Sequence, residues 1–216
     1  MLFIFDWDGT LIDSKSKITK AMQLAAGDLG WHPLADHLIH NIIGLGLPEA
    51  IHQLYPSVNV YDRQRLRNAY AERFLALDEE QPSLFFPGVT QTLIHLKEQG
   101  HILTIATGKS RKGLDRILNV VGWNDFFHST RCADETASKP NPLMLKELLL
   151  EFNVTPEVAV MVGDTEYDME MAQKIDIPRI AVSYGAHHID RLHGYRPVLC
   201  LNRFDELLTW ERLLAT

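Results

Sequence analysis

Asp6 and Asp8 stand one residue apart, followed directly by Gly9 and Thr10. Residues two apart on an extended chain point the same way, so both carboxylates can face one site. Thr107-Gly108-Lys109 sets a hydroxyl and free backbone amides before a helix start, where an anion's oxygen can be held. Ser138-Lys139-Pro140-Asn141-Pro142 puts an ammonium just ahead of another helix. Val162-Gly163-Asp164 is followed four residues on by Asp168. Mg²⁺ takes oxygen ligands, commonly one or two carboxylates with a substrate phosphate. Asp6, Asp8, Asp164 and Asp168 beside a phosphate need compensating positive charge, which a divalent cation and Lys139 can supply. Phosphoryl transfer through a covalent intermediate needs a nucleophile and a proton source for the leaving alcohol. The residues alone leave open which of Asp6 and Asp8 does which.

Each stretch ends or follows an apolar run. Leu2-Phe3-Ile4-Phe5 reads as a strand buried on both faces. Residues 101–106, 126–129, 158–162 and 179–183 read as further strands, with 197–201 as an edge strand. Helices are expected over 89–98, 110–121, 141–152, 167–174 and 204–214. Strands alternating with helices predict an α/β fold with a doubly wound parallel sheet, Rossmann-like. Residues 15–82 break the alternation. Ile18, Met22, Ala25, Ala26 and Leu29 recur at helical spacing, as do Leu66, Ala69, Tyr70, Phe74 and Leu77. Four helices and no strand are expected there. The chain therefore divides into a core of residues 1–14 and 83–216 and a helical cap of 15–82, inserted after the first strand. Hinges are expected near Asp13–Lys15 and Pro82–Pro87.

The opening string Asp6-Trp7-Asp8-Gly9-Thr10-Leu11-Ile12-Asp13-Ser14 resembles the first motif of the haloacid-dehalogenase-like hydrolase superfamily, in particular its phosphoglycolate phosphatase-like branch. Thr107, Lys139-Pro140-Asn141-Pro142 and Gly163-Asp164 resemble the second, third and fourth motifs. Trp7 is bulkier than the Leu or Met usual there, and Gly108 stands where Asn is frequent. The resemblance implies a Mg²⁺-dependent phosphatase acting on a small phosphorylated metabolite through an aspartyl-phosphate intermediate. It makes Asp6 the nucleophile and Asp8 the acid and then the base. Thr107, the Gly108 amide and Lys139 are implied to hold the phosphoryl group. The metal is implied to sit on Asp6, Asp164 and the backbone carbonyl of Asp8. Asp168 either binds it through water or holds Lys139. Ile43-Gly44-Leu45-Gly46-Leu47-Pro48-Glu49 is similar to the family's specificity loop, so Gly44 and Glu49 are candidate substrate neighbours. Lys109 reads as a solvated residue at a helix start, Glu166 as outward-facing, and His187-His188 as a loop pair without zinc spacing.

A net charge of −7 with no basic stripe argues against nucleic acid as a partner. No apolar stretch approaches the ~18 residues of a membrane span. Cys132 and Cys200 form no framework and fit a reducing compartment, so a cytoplasmic protein is expected. The resemblance implies a monomer or homodimer acting on a small-molecule phosphate ester. A sugar phosphomutase of the β-phosphoglucomutase type would share every core motif. A 2-haloacid dehalogenase would lack Asp8, and a non-catalytic binding relative would show a degraded acid set.

Overall fold

The computed structural model of the protein describes residues 1–214. Its central strand, β1 (Leu2–Phe5), is the apolar run that precedes Asp6, and all four of its residues are buried. Four helices follow: α1 (Lys15–Asp28), α2 (Asp36–His40), α3 (Leu47–Leu54) and α4 (Val60–Glu80). The chain then alternates through α5 (Val89–Glu98), β2 (Ile102–Thr107), α6 (Arg111–Val120), β3 (Ser129–Cys132) and α7 (Leu143–Glu151). It continues through β4 (Ala159–Gly163), α8 (Glu166–Gln173), β5 (Arg179–Val182), α9 (Ile189–His193), β6 (Leu199–Leu201) and α10 (Glu211–Leu214).

The six strands form one sheet in the order β3-β2-β1-β4-β5-β6, every pairing parallel. The chain winds outward on one side of β1 and then returns to build the other side. The carboxyl end of β1 is thus the switch point, where such sheets bind ligands. Alternation along β1 sends Phe3 and Phe5 to one helix layer, with Leu93, Leu114 and Phe204. Leu2 and Ile4 go to the other, with Met144, Leu148 and Met171. Apolar burial on both faces is the main reason these strands stay central.

The four helices after β1 build a core of their own from Ile18, Met22, Ile39, Ile43, Ile51 and Leu66. The segments entering and leaving them pair side by side. Asp13 N–H donates to Leu84 O (2.9 Å), and Phe86 N–H to Leu11 O (3.0 Å). Trp7 is fully buried beneath this pairing, with its ring against Phe85 and Phe127 at centroid distances of 5.9 and 6.3 Å. The bulk between the two aspartates is therefore a core wedge. No helix among the described residues is long and apolar enough to cross a membrane.

Two expectations need correction, and one short helix was not expected. The third strand is Ser129–Cys132, not 126–129, because Phe126 and Phe127 turn away to stack in the aromatic group around Trp123. The strand itself lies at the sheet edge and is half-buried, so it carries polar residues. The expected final helix, 204–214, is a 3₁₀ stretch (Phe204–Thr209) and a short α10. Between them Trp210 is extended and buried. Helix α9 gave no periodic signal in so short a span.

Candidate active site

Backbone register fixes the first carboxylate. Asp6 N–H donates to Val162 O (2.9 Å), which extends the β1–β4 ladder one residue and holds Asp6 at the strand end. Gly9 then turns the chain at φ +89°, and a side chain there would run into the carboxylate of Asp164. Thr10 Oγ1 donates to Asp164 Oδ1 (2.8 Å), and the Ala186 amide donates to Asp164 Oδ2 (2.7 Å). The acid after β4 is thus fixed from the first loop and from the loop after β5.

Lys139 is buried. Its Nζ donates to Asp6 Oδ1 and, at 2.7 Å, to Asp168 Oδ1. The other oxygen of Asp168 accepts from the Thr165 hydroxyl (2.7 Å) and amide (3.1 Å) in a capping box that opens α8. Asp168 is therefore fully engaged. Asp6 Oδ2, in contrast, is buried with no hydrogen-bond partner.

Carboxylate oxygens of Asp6, Asp164 and Asp168 all lie within 4.8 Å of one another. One ammonium does not balance three buried acids. Burial first, then the charges of Asp168 and Asp164, raises Asp6 well above the usual carboxylate range despite Lys139. Burial and Asp168 push Asp164 up to about 7, against the hydrogen bonds from Ala186 and Thr10. Burial alone would lower Lys139, but Asp168 and Asp6 together hold it above its ordinary value. Three clustered buried carboxylates carrying more negative charge than one ammonium offsets are what an oxygen-preferring divalent cation fits.

Asp8 stands apart from this group. Its Oδ1 accepts from Ser14 Oγ (2.7 Å), and both its oxygens lie 2.8 Å from Lys109 Nζ. The expectation that Lys109 is solvated fails: its side chain is 15% exposed and is spent on Asp8. Thr107 ends β2, fully buried, and its Oγ1 accepts from the Lys109 amide (3.1 Å). Glu166 reaches back to Arg191 rather than simply facing outward. His187 is buried, where its Nδ1 accepts from the Glu166 amide (3.1 Å).

The loop before α3 lies over the site. A Cβ on Gly108 would sit 2.5 Å from Leu45 O and 2.6 Å from Gly44 O, so only glycine admits this approach. Gly46 N–H donates to Ser138 Oγ (2.8 Å), and Gly44 lies against the Thr165 side chain. Glu49 is exposed in the first turn of α3, its carboxylate beside Gly46 at that helix's amino end. The structure thus brings Gly44 and Gly108 together with the acids' surroundings and leaves Glu49 at the rim. Sequence reasoning gave no separate role to Thr10 and Ser14, though both lie within the opening motif. The Ala186 amide carries no sequence signal at all.

Acids at a switch point, one buried lysine and a hydroxyl at the next strand end define a family. The chain belongs to the haloacid dehalogenase-like hydrolase family, whose model matches residues 3–182. It is 34% identical to the Dickeya dadantii protein named "Probable phosphatase IndB", over 96% of this chain and 91% of that one. It is 30% identical to a phosphoglycolate phosphatase of Aliivibrio fischeri, over 96% and 94% of the two chains. The fold matches the crystal structure of a predicted phosphoglycolate phosphatase from Haemophilus somnus with a TM-score of 0.87, covering 96% of each chain at 22% identity.

Proposed function

We propose that the protein is a Mg²⁺-dependent phosphatase of small phosphorylated metabolites, with phosphoglycolate-like esters as the substrate class. The observation that carries this reading is Asp6: one oxygen is pinned by Lys139, and the other is buried and unpartnered at the end of the central strand. That free Oδ2 is the nucleophile. As its bond to phosphorus forms, the ester P–O bond breaks, and the leaving oxygen takes a proton from Asp8. Asp8, now a carboxylate, takes a proton from the water that hydrolyses the aspartyl phosphate. Thr107 and the Gly108 amide hold phosphoryl oxygens, and Lys139 offsets their charge. Asp6, Asp164 and the Asp8 carbonyl would hold the metal, while Asp168 positions Lys139. Bound there, Mg²⁺ supplies charge compensation and orientation for the phosphate.

Residues 15–82 serve as a cap that excludes water and selects the leaving group. The names of the Dickeya and Aliivibrio relatives support the reaction class. Free Cys132 and Cys200 support a cytoplasmic setting. The test is phosphate release by the purified protein from a panel that includes phosphoglycolate, p-nitrophenyl phosphate and hexose phosphates. Release is expected with Mg²⁺ and is lost with chelator. Asp6→Asn abolishes it with the circular dichroism spectrum unchanged. Full turnover in that variant would remove Asp6 from the role.

A further inference from the structure

Helix α4 sends three residues at four-residue spacing toward the core: Tyr70, Phe74 and Asp78. Asp78 is buried and accepts from Arg116 of α6 (2.6 Å), from Lys17 of α1 and from Ser83. Phe74 packs tilted against Tyr70, with ring centroids 5.9 Å apart, and places its ring 4.8 Å from Lys109 Nζ. Lys109 therefore has two partners: the carboxylate of Asp8 in the first loop and an aromatic face from the cap.

A lysine at the amino end of a helix opposes the helix dipole. Here its charge is spent on both oxygens of Asp8, which fixes the plane of that carboxylate. The space shared by Asp8, Phe74, Asp78, Lys109 and Arg116 is a cavity of about 10 Å³, room for one water at most. Lys109 Nζ meets both oxygens of Asp8, so its contact with the chemistry runs through that carboxylate.

We propose that Lys109 is a positioning residue for Asp8, and that Phe74 of the cap holds Lys109 in place. This rests on the phosphatase reading above. While α4 covers the site, the ammonium orients Asp8 for proton delivery to the leaving oxygen and steadies the carboxylate left behind. Loss of the cap contact loosens the lysine and, with it, the acid.

The test compares an alkyl phosphate, whose leaving oxygen needs a proton, with p-nitrophenyl phosphate, whose leaving group departs with little help. Lys109→Met should lower kcat on the alkyl ester by about 10- to 100-fold, the scale of a misplaced proton donor. The loss on p-nitrophenyl phosphate should be at least about tenfold smaller, with KM for both esters within about threefold of the parent. Lys109→Arg should recover part of the alkyl rate, since a guanidinium also pairs with two carboxylate oxygens. Phe74→Ala should show the same selective loss, and Phe74→Ala with Lys109→Met should be no worse than Lys109→Met alone. Equal losses on the two esters would make Lys109 a phosphoryl-binding group, and an unchanged alkyl rate would make it a surface charge; either overturns the proposal. Additive losses in the double variant overturn the part assigned to Phe74. If the unaltered protein releases phosphate from no ester, it is the phosphatase reading that fails.

Discussion

Lys139→Met removes the one ammonium from the acid group while keeping most of the side chain's buried hydrocarbon. In the unaltered protein Nζ bonds Asp6 Oδ1 and Asp168 Oδ1, and both acids are at most 1% exposed. Removing one partner of a buried ion pair costs about 3–5 kcal/mol, because the remaining charge has nowhere to go. For a chain of this size that is a fall in Tm of about 6–20 °C. The pH dependence carries a sign. Asp6 is already raised well above the usual range, and Asp164 stands at about 7. A raised acid contributes stability that is present below its unfolded pKa and lost as pH rises through its folded value. Without Lys139 both acids are raised further, so the deficit should be largest near pH 8 and shrink toward pH 5 as protons replace the ammonium. Calorimetric melts of metal-free protein at the two pH values measure it, and Mg²⁺ added at pH 8 should recover part of the loss. A Tm within about 2 °C of the parent at pH 8 would refute the charge argument, since the three acids would then need no cation.

Two further outcomes concern Asp164 and Asp78. Protons and Mg²⁺ compete for Asp164, so apparent Mg²⁺ affinity should rise by up to about tenfold per pH unit from pH 5 and level off above about 7, as isothermal titration would record. An affinity flat from pH 5 to 8 would mean that Asp164 is not a ligand. Burial pushes Asp78 up, but Lys17, Arg116 and Ser83 outweigh it and hold the acid at about 2. Its contribution is present above the unfolded value and is lost as pH falls through about 2. Asp78→Asn should therefore cost about 1–3 kcal/mol in urea denaturation at pH 7, and less as pH falls below 4.

The acid-bearing loops were legible because buried parallel strands write unbroken apolar runs and their carboxyl ends are where the polar residues begin. Phe5 into Asp6 and Val162 into Gly163-Asp164 are such endings, and the structure sets them side by side on β1 and β4. The same rule misplaced the third strand. Edge strand β3 is only half-covered, so Ser129, Thr130 and Arg131 carry no apolar signature, while the nearby Phe126 and Phe127 do. Outside the four motifs, side chains whose partners lie far along the chain were not legible. In α4, Asp78 breaks the apolar stripe that Tyr70 and Phe74 continue, and by periodicity alone it is an exposed acid. Its burial follows from Arg116, 38 residues on, and Lys17, 61 residues back. Lys109 was misread for the same reason, since Asp8 is 101 residues away. Both residues belong to the contact between the helices after β1 and the sheet. Local pattern reports which residues a helix or strand buries, but not which charge meets which across two separately built cores. The chemistry of phosphoryl transfer is written in strand ends and can be read from them. What the helices after β1 add to it turns on pairs such as Lys109 with Phe74, where a residue of α4 meets one of the loop after β2.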